Sequence, residues 1–211
     1  MLSPFQMSPL TVDELAARIG SLADPNPAKR ETAAMAVFRH GCELANAATQ
    51  SWFLDPEFAT YAVRDRAGIP ELTVGIAVQP VNFEMIRAAC GSPRLAAVPP
   101  DQDAREFELH FSGGARLDVL TTAAPGSAGA IARFLEKSGE GVQQVEVAVT
   151  NVDRATEILR ARFGILPVYP ATRPGADGTR VNFFLVPATQ NRKVLIELVE
   201  KSVNEDRGAL K

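Results

Sequence analysis

The chain has 211 residues, 46% of them hydrophobic and 22% charged, a balance that excludes wholesale disorder and fibrous repeats and suits one domain with an appendage. A formal net charge of −3 without a run of Lys or Arg excludes nucleic acid as the main partner. Cys42 and Cys90 have neither metal nor disulfide spacing, and no stretch approaches the roughly 18 apolar residues of a membrane span.

In chain order, residues 1–10 read as a loose tail that lacks the basic and apolar parts of a signal peptide. A cytoplasmic protein is therefore expected. Thr11 and Glu14 have capping-box spacing and predict a short helix to about Leu22, with Leu15, Ile19 and Leu22 on one face. Asp24-Pro-Asn-Pro27 breaks it. Residues 28–53 place Met35, Phe38, Cys42, Ala45, Ala48 or Thr49, and Trp52 at helical spacing and predict a long amphipathic helix. His40 and Cys42 tempt a metal or nucleophile reading, but residues two apart on a helix diverge by about 200°. Packing is the better account of both.

Past Gly68-Ile-Pro70 the period changes from helical to alternating. Residues 72–78 alternate as a half-buried strand, 83–90 read as a short helix, and 106–111 and 116–120 as strands joined by a Gly113-Gly114 hairpin. Residues 142–149 are again an alternating strand. A helix starting at Asn151 or Asp153 follows and Gly164 ends it, then come strands at 181–186 and 194–199. The order strand, helix, later strands thus occurs twice. The equivalent first strands are offset by 71 residues (Thr73 to Gln144) and the last by 79 (Asp118 to Glu197).

The stretch Ile131-Ala-Arg-Phe-Leu-Glu-Lys-Ser-Gly-Glu-Gly-Val-Gln-Gln-Val145 resembles the module linker and second-module entry of the vicinal oxygen chelate superfamily, nearest to methylmalonyl-CoA epimerases. Gly141-Val-Gln-Gln144 is also similar to members of the 4-hydroxyphenylpyruvate dioxygenase type. Residues 173–181 and 194–200 continue the resemblance to the epimerases, which spans about 72–200. It implies an α+β fold of two βαβββ modules forming a cupped mixed sheet, with modules at about 71–124 and 142–200. On that division residues 1–70 are a helical extension, 71–203 the two-module domain and 204–211 a tail. The resemblance further implies a metal held by the first and last strands of each module, here Thr73, Asp118, Gln144 and Glu197. Histidine is usual at both first-strand positions, and this sequence has Thr73 and Gln144 instead. An all-oxygen set suits a hard divalent ion, magnesium, manganese or calcium, held weakly; no metal at all is the competing expectation, and iron dioxygenase chemistry is rejected.

Alternation alone sorts the strand faces. Val74, Ile76 and Val78, Phe107 and Leu109, Leu117 and Val119, Val145 and Val147, and Ile196 and Leu198 form faces suited to helices. Thr73, Gly75, Glu106, Glu108, His110, Arg116, Asp118, Gln144, Glu146 and Glu197 share the opposite face, concave in a cupped sheet. Crowded carboxylates raise one another's pKa, as proton abstraction beside a carbonyl requires. Glu197, Glu146 and Asp118 are the catalytic candidates, and His110, Arg116, Arg173 and Arg180 the substrate-binding ones. The 174–178 loop lacks phosphate-loop spacing and reads as a turn.

Three functions fit the sequence. The first is an epimerase- or isomerase-like enzyme moving a proton on a small oxo-acid or thioester. The second is a metal-free small-molecule-binding protein of the same fold that has lost catalysis. The third is an interaction module whose activity lies in the N-terminal helices. Phe38, Trp52, Phe53, Phe58 and Tyr61 suit those helices to cover one face of the sheet or to form a homodimer contact.

Overall fold

The computed structural model describes residues 10–188 and 193–200. The predicted tails, 204–211 included, lie outside the described residues.

Helix α1 (Val12–Gly20) starts at the predicted capping box, with Thr11 and Glu14 each satisfying the other's backbone amide. Helix α2 (Pro27–Leu54) begins with Pro27 in its first turn and Asn26 as cap, and α3 (Pro56–Ala59) follows at once. The sheet comprises β1 (Leu72–Ala77), β2 (Ala104–His110), β3 (Arg116–Thr122), β4 (Gly141–Val149), β5 (Arg173–Pro174), β6 (Arg180–Pro187) and β7 (Lys193–Glu200). Their order is β2-β3-β1-β4-β7-β6-β5. Helix α4 (Pro80–Ala89) follows β1, α5 (Ala130–Ser138) joins the halves, and α6 (Val152–Phe163) follows β4, capped by Asn151 and ended by Gly164 in the left-handed region.

The repeat is visible in the register. At the centre β1 and β4 run antiparallel with Val74 opposite Val145, Thr73 opposite Glu146 and Gly75 opposite Gln144. Exchanging positions by the 71-residue offset maps this pairing onto itself. The parallel pairing Gly75 with Asp118 in the first half recurs as Glu146 with Glu197 in the second. A pseudo-two-fold axis therefore passes beside Val74 and Val145.

The first module departs from the expected βαβββ order. Residues 94–98 run beside β2, with the Ala96 amide donating to Glu106 O at 3.0 Å, but they form no strand. Pro93, Pro99 and Pro100 flank this short stretch, and prolines offer no amide to a ladder. The module is βαββ, and its counterpart in the second half, β5, is only two residues long.

The convex face of the sheet carries α2, α4 and α6 in one continuous core that includes Trp52, Phe58, Phe83, Phe107 and Phe184. The core runs across residue 70, and Ala62 pairs with Val149, so the N-terminal helices are built into the sheet domain. Helix α2 turns a slightly different face inward than its large apolar residues predict. Ala34, Val37, Gly41, Ala45, Thr49 and Trp52 are buried, His40 with them. Small side chains let this helix approach the sheet closely, and a Cβ on Gly41 would lie 2.5 Å from Val74 Cγ1. The segment read as a linker is helix α5, whose Ile131 and Leu135 pack on Ala77 and Leu120 and cover part of the concave face.

Candidate functional site

Four strands bring Thr73, Asp118, Gln144 and Glu197 to the concave side of the sheet, where all four are buried. Glu146 lies between Thr73 and Glu197 in register, and Glu108 lies opposite Asp118. Gln144 Nε2 donates to Glu197 Oε2 and, at 3.4 Å, reaches Glu146 Oε1. Gly75 makes room for this arrangement, since a Cβ there would stand 2.6 Å from Gln144 Cγ.

The acids perturb one another. Burial foremost, then Glu106, Glu146, Glu197 and Glu108, push the Asp118 carboxyl well above the usual range. Glu197 is raised likewise by burial, Glu146 and Glu106, against the lowering effect of its bond from Gln144. Glu106 is pushed to about 7 by burial, Asp177 and Glu108. The sequence placed Glu106 on this face without singling it out; its strand position beside Asp118 was the available signal.

The four predicted substrate-binding residues are not brought together. His110, largely exposed at the end of β2, pairs with Glu108 at 3.1 Å. Arg116 grips Glu71 through two bonds of 2.6 and 3.3 Å. Arg180 belongs to the convex side, held by Asp153 of α6 at 2.5 Å and Glu200 at 3.0 Å. Arg173 sits at the rim, paired with Asp101 and stacked over the Tyr169 ring at 4.3 Å.

That last pair belongs to a clasp the sequence did not reveal. The two ends of the sheet meet where residues 94–102 of the first module touch 173–177 of the second. Arg94 holds Asp177 through bonds of 2.9 and 2.7 Å, and the Ala97 amide donates to the same carboxylate at 2.9 Å. The Asp177 amide returns a bond to Ala97 O at 3.1 Å, and Gln102 Nε2 donates to Pro174 O at 3.0 Å. Asp177 adopts φ 51°, a conformation that Asp tolerates better than most residues and that aims its carboxylate across the gap. The predicted 174–178 turn is thus present and joins the modules across the mouth of the cup.

No family model matches the sequence, and no curated protein does. Among solved structures the chain is similar to a methylmalonyl-CoA epimerase from Mycobacterium tuberculosis, at 32% identity and a TM-score of 0.51, over 62% of this chain and 86% of that one. The chain belongs to the vicinal oxygen chelate superfamily. A hypothetical protein from Bacillus halodurans shares the fold at 23% identity and a TM-score of 0.50, over 62% and 92% of the two chains.

The vicinal oxygen chelate fold implies a divalent metal, and the residues here do not fit one. Neither first-strand position is an imidazole, and the Gln144 amide is already committed to Glu197. Among the described residues no three His, Cys, Asp or Glu side chains converge as metal ligands. Within this vicinal oxygen chelate cup, what remains is a set of carboxylates with mutually raised pKa values, suited to holding and passing protons.

Proposed function

We propose that the cup is the active site of an epimerase- or isomerase-like enzyme, moving a proton on the carbon beside the carbonyl of a small oxo-acid or thioester. The observation that carries this reading is the pair Asp118 and Glu197. They are related by the pseudo-two-fold, both are buried, and both are raised well above the ordinary carboxylate range. Burial favours the protonated form of each, and the reaction uses one of them ionised and the other protonated. The ionised member takes the α-proton and the protonated member returns one from its own side of the carbon, which inverts the centre. In this reading Glu146, beside Glu197 in register and near the Gln144 amide, is a further acid that exchanges protons with the pair. The Thr73 hydroxyl is a neutral donor for a developing enolate oxygen. The likeness to an enzyme named methylmalonyl-CoA epimerase supports this class of reaction.

The test is exchange of the α-hydrogen for deuterium in ²H₂O, followed by proton NMR on a panel of oxo-acids and acyl-CoA thioesters. Asp118→Asn and Glu197→Gln should each slow exchange by roughly 10²–10⁴-fold. Full rates in both variants, or no exchange by the wild-type protein on any member of the panel, would remove the reading. One observation favours a binding cup without turnover instead: Glu197 is held by Gln144 within the protein. In that case Glu197→Gln would bind ligand as well as the wild type does.

A further inference from the structure

We propose that the second module's wall of the cup, built from Tyr169, Phe183, Leu185 and Leu195, receives the hydrocarbon part of the substrate, a chain of several carbons rather than a methyl group. This deepens the proton-transfer reading, resting on it for where the reacting carbon lies but not for the binding.

Strand alternation builds the wall. Phe184 and Val186 of β6 and Val194 and Ile196 of β7 belong to the convex core, so Phe183, Leu185 and Leu195, which alternate with them, point into the cup. Register sets Leu185 opposite Leu195 and Phe183 opposite Glu197. The Tyr169 ring meets the Phe183 ring edge-on with centroids 6.0 Å apart, and the Arg173 guanidinium stacks over it at 4.3 Å. The Val168 amide donates to Phe183 O at 2.7 Å and ties the segment that bears Tyr169 to β6. The wall is therefore held in place by the fold itself. Leu185 nevertheless stays 50% exposed and Tyr169 37% exposed, apolar surface left open beside the buried acids.

The pseudo-two-fold supplies a comparison within the chain. The pairs Phe183–Glu197 and Leu185–Leu195 take the places that Glu108–Asp118 and His110–Arg116 hold in the first module. Equivalent positions thus carry hydrocarbon on one wall and ionisable groups on the other, and a ligand between them is oriented with its apolar part toward the second module. Directly opposite side chains on neighbouring strands have Cβ atoms about 5 Å apart, so a substituent on a carbon beside the Glu197 carboxyl has the Phe183 ring within reach. A methyl group covers little of that ring, whereas a longer chain continues to Leu185 and Leu195. Each added methylene then exchanges water for hydrocarbon, and affinity rises with chain length.

Propanoyl-CoA and hexanoyl-CoA separate the cases, since both carry exchangeable α-hydrogens and they differ only in chain length. Binding of each to the full chain would be measured by calorimetry, with α-hydrogen exchange in ²H₂O alongside. Hexanoyl-CoA should bind at least about tenfold tighter. In Leu185→Asn the gap should narrow at least about threefold with propanoyl-CoA unaffected, whereas Leu54→Asn, at an exposed leucine at the end of α2, should leave the gap intact. Equal affinities, an unchanged gap in Leu185→Asn, or failure to bind either thioester overturns the proposal. A dimer that dissociates in Leu185→Asn, without chain-length preference in the wild type, assigns the wall to a second copy of the chain and overturns it as well. Chain-length preference without exchange upholds the proposal and removes the proton-transfer reading; exchange on both thioesters at equal affinity does the reverse.

Discussion

Gly41 offers a direct measure of how closely α2 is seated on the sheet. In a solvent-facing helix, replacing Gly by Ala gains about 1 kcal/mol through helix propensity. Here the added methyl would lie 2.5 and 2.6 Å from the two γ-carbons of Val74 and 3.1 Å from its Cβ. Ordinary contact between carbons is about 3.5–4.0 Å, so roughly 1 Å must be found. Turning Val74 about χ1 does not supply it, because both branches are already in the way and a β-branched side chain has few rotamers. The helix has to back away, loosening Ala34, Val37 and Ala45 along the same face. Overpacking of this kind costs about 1–3 kcal/mol and more where the backbone must move. Because the helix backbone must move, the upper part of that range applies, and set against the propensity gain Gly41→Ala should lose roughly 1–2 kcal/mol, a fall in Tm of about 2–8 °C for a domain of this size. Urea unfolding of Gly41→Ala, Val74→Ala and the double variant would give the coupling directly. Gly20→Ala is the control: nothing lies within 4 Å of a Cβ there, so it should be neutral or slightly stabilising. A Gly41→Ala protein as stable as the wild type would show that the helix does not bear on Val74 as described.

Four further outcomes are expected. Asp118, Glu197 and Glu106 have native pKa values above their unfolded ones. The native state therefore holds the extra protons, and stability falls as pH rises, for Glu106 between its ordinary 4.5 and about 7. Asp118→Asn should accordingly raise Tm at pH 8 and flatten the decline from pH 5 to 8; an unchanged slope in thermal melts would contradict the burial account. Burial, with Glu43 secondary, pushes the Cys42 thiol to about 12, whereas Cys90 is raised less and lies half-buried. In the native protein a thiol reagent at pH 8 should modify Cys90 well before Cys42, and both should react in denaturant. Loss of the clasp in Asp177→Ala should speed hydrogen exchange at the Ala97 amide by at least about tenfold while the centre of β1 keeps its protection; equal protection at Ala97 would mean that the bond to Asp177 does not hold the rim. Finally, neither EDTA nor added magnesium, manganese, calcium, cobalt, nickel or zinc should shift the melting temperature. A rise with any of them that disappears in Glu197→Gln would restore the metal site.

The sequence by itself determined most of the element list, because the signals are local. A capping box starts α1, Asn151 and Gly164 bracket α6, and strict alternation marks β1 and β4 with the correct residues on each face. The two offsets, 71 and 79 residues, were also legible, and they anticipated which residues would meet across the sheet. What the tertiary structure decided depends on residues distant in sequence. The inward face of α2 is chosen by the small residues Ala34, Gly41 and Ala45, since closeness to Val74 matters more there than apolar bulk. Ile131 and Leu135 make α5 a cover for the concave face only because Ala77 and Leu120 are there to receive them. Arg180 could be assigned to the convex side only once Asp153 was seen beside it, and the clasp needs Arg94 and Asp177, 83 residues apart. Alternation states which side a carboxylate takes. How far it is buried, and which charges it meets, is set by the curvature of the sheet and by what closes over it.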